Sequence, residues 1–206
     1  MKKSVLGFMV GLFCVGAAFP AFAMVKDADN ILQKIEKKLA EIKTLDTKLV
    51  QVSTGQPKAE GSLILSRPGK MLLTYKEPVT TMVIADGYNV IFYDKALEQV
   101  TYLDIDETPA FFILKEGFSF KDDDVKVLDV GRKKGKIEVT MTQKKNPLAG
   151  KITLVFKEKP LKLLSWTITD ARRTKTTVTL QDTKYNVPVA EDTFVFINPN
   201  RVKRAY

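Results

Sequence analysis

Short runs of alternating apolar and polar residues fill the chain from about residue 47 onward, and no other feature constrains the fold as strongly. Turn signals separate these runs, among them Arg67-Pro68-Gly69-Lys70 and Asp86-Gly87. The runs lie at residues 47–53, 59–67, 70–77, 79–86, 88–94, 97–103, 124–131, 135–143, 150–157, 160–169, 174–183 and 193–197. Many strands joined by hairpins predict one large antiparallel sheet that is curled or closed into a barrel.

A helix is predicted ahead of the strands, from Asp27 to about Leu45. Its apolar residues recur at spacings of three and four and form one stripe, which comprises Ile31, Ile35, Leu39, Ile42 and Leu45. The opposite face is rich in lysine and glutamate. We therefore expect an amphipathic helix whose stripe packs against the sheet.

A second, short helix is predicted in the break in the strand series at residues 106–121. Pro109 suits the first turn of a helix and Gly117 its end, so we expect this helix from Pro109 to Lys115. It contains the unbroken apolar run Phe111, Phe112, Ile113 and Leu114. A connection this apolar is expected to cover another apolar surface.

Several predicted strands carry apolar residues on both faces, unlike a sheet with one solvated face. In the run at 70–77, Met71 and Leu73 lie on one face and Leu72 lies on the other. Periodicity leaves two explanations open. Either one face packs under the first helix while the other lines a cavity beneath the second helix, or helices cover both sides of a sandwich-like core that has no cavity.

The chain has no histidine and one cysteine, which excludes most catalytic and metal-binding systems. Ser-His-Asp and Cys-His nucleophiles, histidine-ligated zinc and cysteine-ligated iron–sulfur clusters all need residues that are missing. Acidic clusters at residues 104–107 and 122–124 flank predicted turns, and nothing fixes them as a catalytic carboxylate pair. We expect a protein that is not an enzyme and has no catalytic residue, cofactor or metal site.

Residues 1–23 have the pattern of a secretory signal peptide. Lys2 and Lys3 precede an apolar run at residues 5–19, and Ala21-Phe22-Ala23 provides a small-x-small cleavage sequence. We expect cleavage after Ala23 and a single domain over residues 24–206. The one cysteine, Cys14, would leave with the signal peptide, and the loss of two lysines would lower the net charge from +9 to +7.

The basic balance of the chain indicates an anionic partner such as nucleic acid, a membrane surface or an acidic protein. The lysines lack the interleaved aromatic residues of a base-stacking surface, and the basic run at residues 131–136 is typical of a hairpin tip. Export also argues against nucleic acid, so we expect no nucleic-acid partner.

Arg67 is the polar residue that stands out in the strand pattern. It shares parity with Leu63 and Leu65, so a strand that continued into the turn would point it toward the apolar face. Alternatively, Pro68 ends the strand and Arg67 is exposed. Parity leaves both orientations open.

An ordered series of motifs spans about residues 27–200. The amphipathic helix is followed by Gly61-Ser62-Leu63-Ile64-Leu65-Ser66-Arg67-Pro68-Gly69-Lys70-Met71-Leu72-Leu73-Thr74-Tyr75, Pro78, Val83-Ile84-Ala85-Asp86-Gly87, Phe92-Tyr93-Asp94, Glu98-Gln99, Thr108-Pro109-Ala110-Phe111-Phe112-Ile113-Leu114 and Phe194-Val195-Phe196-Ile197-Asn198-Pro199. In their order and spacing, these motifs resemble the periplasmic outer-membrane lipoprotein carrier family (LolA).

The resemblance implies an α+β, mainly antiparallel β fold. This is an unclosed (half) β-barrel of about 11 strands, with an amino-terminal helix and short lid helices that cover an apolar cavity. Pro109, Phe111, Phe112 and Leu114 correspond to the lid helix, and Arg67 matches the arginine that ties the lid shut. With the strand pattern, the resemblance assigns the acyl-chain cavity to Leu63, Leu65, Met71, Leu73, Tyr75, Met82, Ile84, Ile91 and Tyr93.

The resemblance also implies a function and its partners. Such a protein is a periplasmic monomer that takes triacylated lipoproteins from an inner-membrane lipoprotein-releasing ABC transporter and delivers them to an outer-membrane lipoprotein receptor. Its basic charge would complement acidic docking surfaces on those partners. Two alternatives share the fold: a carrier of other lipids or glycolipids, and a regulatory domain that senses lipids or lipoproteins.

Overall fold

The structure is a computed structural model of the 206-residue chain, and it describes residues 27–108 and 111–202. The predicted signal peptide and Pro109 of the predicted second helix lie outside these residues. Within the described ranges, no helix is both long enough and apolar enough to span a bilayer.

Strands dominate the described part of the chain. The helices are α1 (Ala28–Ala40), α2 (Phe111–Leu114) and α3 (Pro199–Val202), with short 3-10 helices η1 (Ile105–Glu107), η2 (Pro147–Ala149) and η3 (Glu191–Phe194). The strands are β1 (Thr44–Ser53), β2 (Ala59–Ser66), β3 (Lys70–Tyr75), β4 (Thr81–Asp86), β5 (Asn89–Asp94), β6 (Gln99–Asp104), β7 (Val125–Lys133), β8 (Lys136–Gln143), β9 (Lys151–Lys157), β10 (Lys162–Thr169) and β11 (Lys175–Tyr185).

All the strands belong to one antiparallel sheet in the order β6-β5-β4-β3-β2-β1-β11-β10-β9-β8-β7. The pairing of β1 with both β2 and β11 joins two hairpin series at the centre. Strands β6 and β7 lie at opposite edges, so the sheet is open, and the prediction of an unclosed sheet of about 11 strands is confirmed. The predicted run at 193–197 is wrong as a strand, because its first residues belong to η3.

The first helix ends earlier than its stripe predicts. It stops at Ala40, and Leu45 instead lies in β1, directly opposite Leu65 of β2. Leu45, Thr47 and Leu49 are buried and alternate with more exposed neighbours, as in a strand. The position of Leu45 fits both the helical spacing of the stripe and the alternation of β1. The predicted end of the helix was therefore wrong.

One apolar core lies on one face of the sheet, which we call the inner face. The α1 residues Ile31, Ile35 and Leu39 belong to the same buried cluster as residues from both halves of the sheet. The predicted packing of the helix stripe on the sheet is therefore confirmed. Both halves of the sheet therefore contribute, together with α1, to a single core.

The segment after β11 explains why the opposite, outer face is also apolar. Here η3 lies against β3 and β4 and buries Phe194, and the Phe196 ring lies 5.6 Å from the Tyr93 ring. Farther along, the Asn200 side-chain amide donates a 2.9 Å hydrogen bond to the Glu98 carbonyl oxygen. This part of the outer face is therefore covered by the chain itself.

The close approach of β2 and β3 at Gly61 yields a first prediction. Gly61 pairs with Tyr75, and a Cβ atom at this position would clash with the carbonyl oxygen of Thr74. We expect Gly61→Ala to lower the free energy of unfolding by about 1–3 kcal/mol, as overpacking does. In β7, the nearest atom to a Cβ at Gly131 is an Asp129 carboxylate oxygen 3.9 Å away. If urea unfolding shows that Gly131→Ala lowers the free energy of unfolding by the same amount, the clash with Thr74 is not the cause.

Candidate functional site

The inner face of β2 and β3 brings together part of the predicted cavity. Directly paired residues of antiparallel strands share a face, and Leu63 pairs with Leu73 while Leu65 pairs with Met71. All four are buried in the core cluster, and Tyr75 packs against it. The neighbouring strands extend the same surface through Val83, Ala85 and Val90.

The other predicted cavity residues lie on the outer face, so grouping them with the inner set was wrong. Ile84 pairs with Leu72 and Ile91, while Met82 pairs with Thr74 and Tyr93. Leu72 and Thr74 have the opposite parity to Leu73, and their partners therefore point away from the core. The four residues of this outer set are Met82, Ile84, Ile91 and Tyr93.

A polar contact lies within the inner wall. The Tyr75 hydroxyl donates a 2.6 Å hydrogen bond to the side-chain oxygen of Gln51. Burial raises the pKa of Tyr75 to about 12, against the opposing effect of this hydrogen bond. Gln51 was missed in the sequence because a glutamine at an inward strand position gives no recognisable signal.

The connection from β6 to β7, residues 105–124, joins the two edges of the sheet; we call it the bridging segment. It places Phe111, Phe112, Ile113 and Leu114 in the core cluster, together with Phe118 and Phe120. Successive rings meet edge to face, with centroids 5.1–6.2 Å apart. The apolar inner face is therefore covered by this segment and α1.

Arg67 lies where α1, β2 and the bridging segment meet. Its Nε donates a 2.8 Å hydrogen bond to the carbonyl oxygen of Ile113, and its Nη1 donates to the carbonyls of Leu39 and Ile42. The side chain thus joins carbonyl oxygens at the end of α1, and just beyond it, to helix α2. This geometry corresponds to the inward alternative and not to the exposed one.

The surroundings of Arg67 oppose its charge. Burial lowers the pKa of Arg67 to about 10, and the nearby Glu116 carboxylate acts in the other direction. The Glu116 carboxylate itself forms a 2.9 Å ion pair with Lys43, which lies just after α1. A half-buried guanidinium is thus held mainly by carbonyl oxygens.

Gly69 supplies a second attachment in the same turn. Its backbone N–H donates a 3.1 Å hydrogen bond to the carbonyl oxygen of Leu114. Its φ of +73° favours glycine, and a Cβ atom would lie 2.9 Å from the Gly87 Cα. The Arg67-Pro68-Gly69 turn therefore holds two consecutive carbonyls of α2.

A third attachment, which no local sequence pattern marks, joins α1 to the end of the bridging segment. A Glu36 carboxylate oxygen accepts hydrogen bonds from the Ser119 hydroxyl, at 2.7 Å, and from the Phe120 backbone N–H, at 2.6 Å. In the sequence, Glu36 is one of several charged residues on the solvent face of a helix. A salt bridge or hydrogen bond to a distant loop leaves no trace in helical periodicity.

Glu36 gives the second prediction. We expect Glu36→Ala to raise the amide exchange rate at Phe120 by about tenfold, since hydrogen bonds to charged groups contribute about 1.5–3 kcal/mol when buried and less when partly exposed. The matched control is Glu41→Ala, because Glu41 follows the last residue of α1 and forms an exposed ion pair with Lys38. Equal exchange at Phe120 in both variants would show that Glu36 does not hold the segment.

Two acidic residues at the end of the bridging segment have structural partners. Asp122 accepts a 2.7 Å ion pair from Lys115 and a hydrogen bond from the Ser119 N–H, and the Lys115 contact lowers the pKa of Asp122. Asp124 forms a 3.1 Å ion pair with Lys145. These contacts account for Asp122 and Asp124 without assigning them any chemistry.

Comparisons with known proteins point in one direction. The sequence profile of a family described as "Outer membrane lipoprotein carrier protein LolA" matches residues 40–197. A protein named outer-membrane lipoprotein carrier protein from Cupriavidus taiwanensis is 30% identical over 68% of this chain and 67% of its own length. One of the same name from Nitrosomonas europaea is 36% identical over 35% of this chain, a match that spans only 37% of that relative. The crystal structure of a LolA superfamily protein from N. europaea aligns with 80% of this chain and 97% of its own, at 9% identity and a TM-score of 0.45.

Proposed function

Since the chain belongs to the outer membrane lipoprotein carrier protein LolA family, we propose that it carries lipoproteins through the periplasm by enclosing their acyl chains. The observation that carries this proposal is the covered inner face: one continuous apolar surface, under a segment held largely through backbone carbonyls. The bridging segment would then be the lid, and its aromatic residues would occupy the space that acyl chains take when cargo binds.

The free energy of exposing a lipid anchor explains why such a carrier is needed. Each methylene group removed from water contributes about 0.8 kcal/mol, so a lipoprotein with several acyl chains does not cross an aqueous compartment unaided. The inner surface formed by Leu63, Leu65, Met71 and Leu73 offers a matching apolar environment. The flexible Met71 side chain suits acyl chains of irregular shape.

Release is the second requirement, and the lid offers a physical route to it. Lid and cargo compete for the same surface, so the free energy of lid closure opposes acyl binding. Phe111, Phe112 and Leu114 return to the core when cargo leaves. In this proposal Arg67 is the latch, since it favours the closed state through the carbonyls of Ile113 and Leu39.

Two partners complete the proposed cycle. An inner-membrane ABC transporter would supply the energy to load the carrier against the closed lid. An outer-membrane receptor with a surface of higher affinity for acyl chains would accept the cargo, so that transfer proceeds downhill. The carrier itself needs no reactive group, which agrees with a chain that lacks histidine and has its one cysteine at position 14.

Depletion of the protein in its native cell tests the proposal. Outer-membrane lipoproteins are expected to accumulate in the inner-membrane fraction, while outer-membrane proteins that lack lipid anchors keep their location. Lipoproteins that reach the outer membrane at the normal rate in depleted cells would refute the proposed role.

A further inference from the structure

Four neighbouring strands place a lysine at the same level of the sheet. Lys133 of β7 pairs directly with Lys136 of β8, Lys136 pairs with Lys157 of β9, and Lys157 pairs with Lys162 of β10. We call these four residues the lysine row. Their chain neighbours Ile137 and Phe156 point into the core, so the lysine row lies on the outer face.

The lysine row is not neutralised from within the described residues. None of its four members forms an ion pair there, and the nearby Glu158 is bound to Arg132 at 3.1 Å. Lys134 and Lys159, at the tips of the two hairpins, add positive charge around a shallow depression of about 460 Å³. Glu138, farther along β8, is the exposed carboxylate beside the row.

This arrangement costs stability, which calls for a reason. Like charges that lie directly opposite each other on a sheet face are destabilising. Lysines on an edge strand prevent sheets from associating, but of the four strands that carry the lysine row only β7 is an edge strand. Strands β8, β9 and β10 have partners on both sides, so edge protection does not explain their lysines.

We propose that the lysine row binds the anionic headgroups of a phospholipid bilayer, as a weak and reversible contact of the carrier with a membrane surface. The residues that line the depression include no aromatic side chain and one large apolar one, Leu164. Protein interfaces are enriched in aromatic residues and depleted of lysine, whereas clustered lysines are typical of contacts with acidic lipids. The contact uses the hairpin tips and includes no residue of the bridging segment.

This inference goes beyond carriage and does not depend on it, because the empty protein is tested. Purified protein is mixed with vesicles of phosphatidylcholine, with or without phosphatidylglycerol, and the bound fraction is measured by co-sedimentation. We expect binding to the phosphatidylglycerol vesicles that weakens as salt shortens the Debye length below about 10 Å.

The variants locate the contact. Lys136→Gln with Lys157→Gln is expected to weaken vesicle binding by about 25-fold, at roughly fivefold for each lysine. The matched control is Lys151→Gln with Lys175→Gln, which removes the same charge at the opposite end of the sheet, where both lysines pair with Thr169 of β10. An equal loss in both double variants would show a general effect of net charge and overturn the proposal. Equal binding to both kinds of vesicle would also overturn the proposal. That result is expected if the lysine row binds an acidic protein and not an acidic lipid. Unfolding by urea checks that both variants fold.

Discussion

Replacing Arg67 by leucine is expected to open the bridging segment of the empty protein and to slow the handover of cargo. The change removes hydrogen bonds from a charged donor to the carbonyl oxygens of Ile113, Leu39 and Ile42. A charge-assisted hydrogen bond contributes about 1.5–3 kcal/mol. A net loss of about 2 kcal/mol from the closed state would shift the closed-to-open ratio by about 30-fold. Cargo would then be held more tightly, because less free energy is regained when the lid closes.

Two measurements check this expectation. Amide exchange across residues 111–120 should become faster in the empty variant, and transfer of bound lipoprotein to outer-membrane vesicles should become slower. Arg67→Lys should have an intermediate effect, because an ammonium group cannot bridge carbonyls as the planar guanidinium does. Arg172→Leu removes the same charge from an exposed loop and should change neither quantity. Faster transfer by Arg67→Leu would contradict the proposed latch.

Truncating Phe112 to alanine is expected to have opposite effects on stability and on acyl binding. Phe112 is 3% exposed and meets both Phe111 and Phe118 edge to face. Loss of a buried phenylalanine costs about 3–5 kcal/mol. In the empty protein this cost falls on the closed state. Once acyl chains displace the segment, Phe112 no longer packs there, so affinity for an acyl ligand should rise as the empty protein becomes less stable.

Phe194 provides the control for this prediction. It is 5% exposed, yet it belongs to η3 on the outer face and lies outside the core cluster. Phe194→Ala should lower the free energy of unfolding by a similar amount and leave acyl affinity unchanged. Affinity can be measured with a fluorescent fatty acid and stability by urea unfolding. A fall in affinity in Phe112→Ala would mean that the ring contacts the ligand instead of competing with it.

The sheet was predictable from the sequence because its signals are local. Alternation within each run, with Pro or Gly in most of the breaks, located all the described strands to within a few residues. The helix end was not predictable from spacing, since Leu45 fits the stripe of α1 and the inner face of β1 equally well. Its place depends on pairing with Leu65, a contact across the chain.

Which residues form the inner face depends on the register between neighbouring strands. Alternation within one strand does not specify that register. Parity shows that Met71 and Leu72 lie on opposite faces, but it does not show which face of β4 adjoins them. The five-residue connection from Tyr75 to Thr81 decides that Val83, and not Met82, lies beside Leu73. Met82 and Ile84 resembled cavity residues because the outer face of these strands is apolar as well. It is apolar because η3 packs against it.

The contacts around the bridging segment were only partly predictable. Its run of Phe111 to Leu114 showed that it must cover an apolar surface, and the core cluster agrees. Parity left Arg67 undecided, since a residue before a proline ends its strand in an orientation set by the turn. Glu36 and Gly69 bind the same segment through contacts that no local pattern marks.

If cargo occupies the inner face and not the outer one, cross-links formed from the two faces should differ. Met71 is buried on the inner face, whereas Met82 lies on the outer face. A photoreactive analogue of methionine, of similar size, would be introduced at one position or the other, and the protein loaded with triacylated lipoprotein before illumination. We predict cross-links to the acyl chains from position 71 and none from position 82. Cross-links from position 82 without any from position 71 would contradict the account.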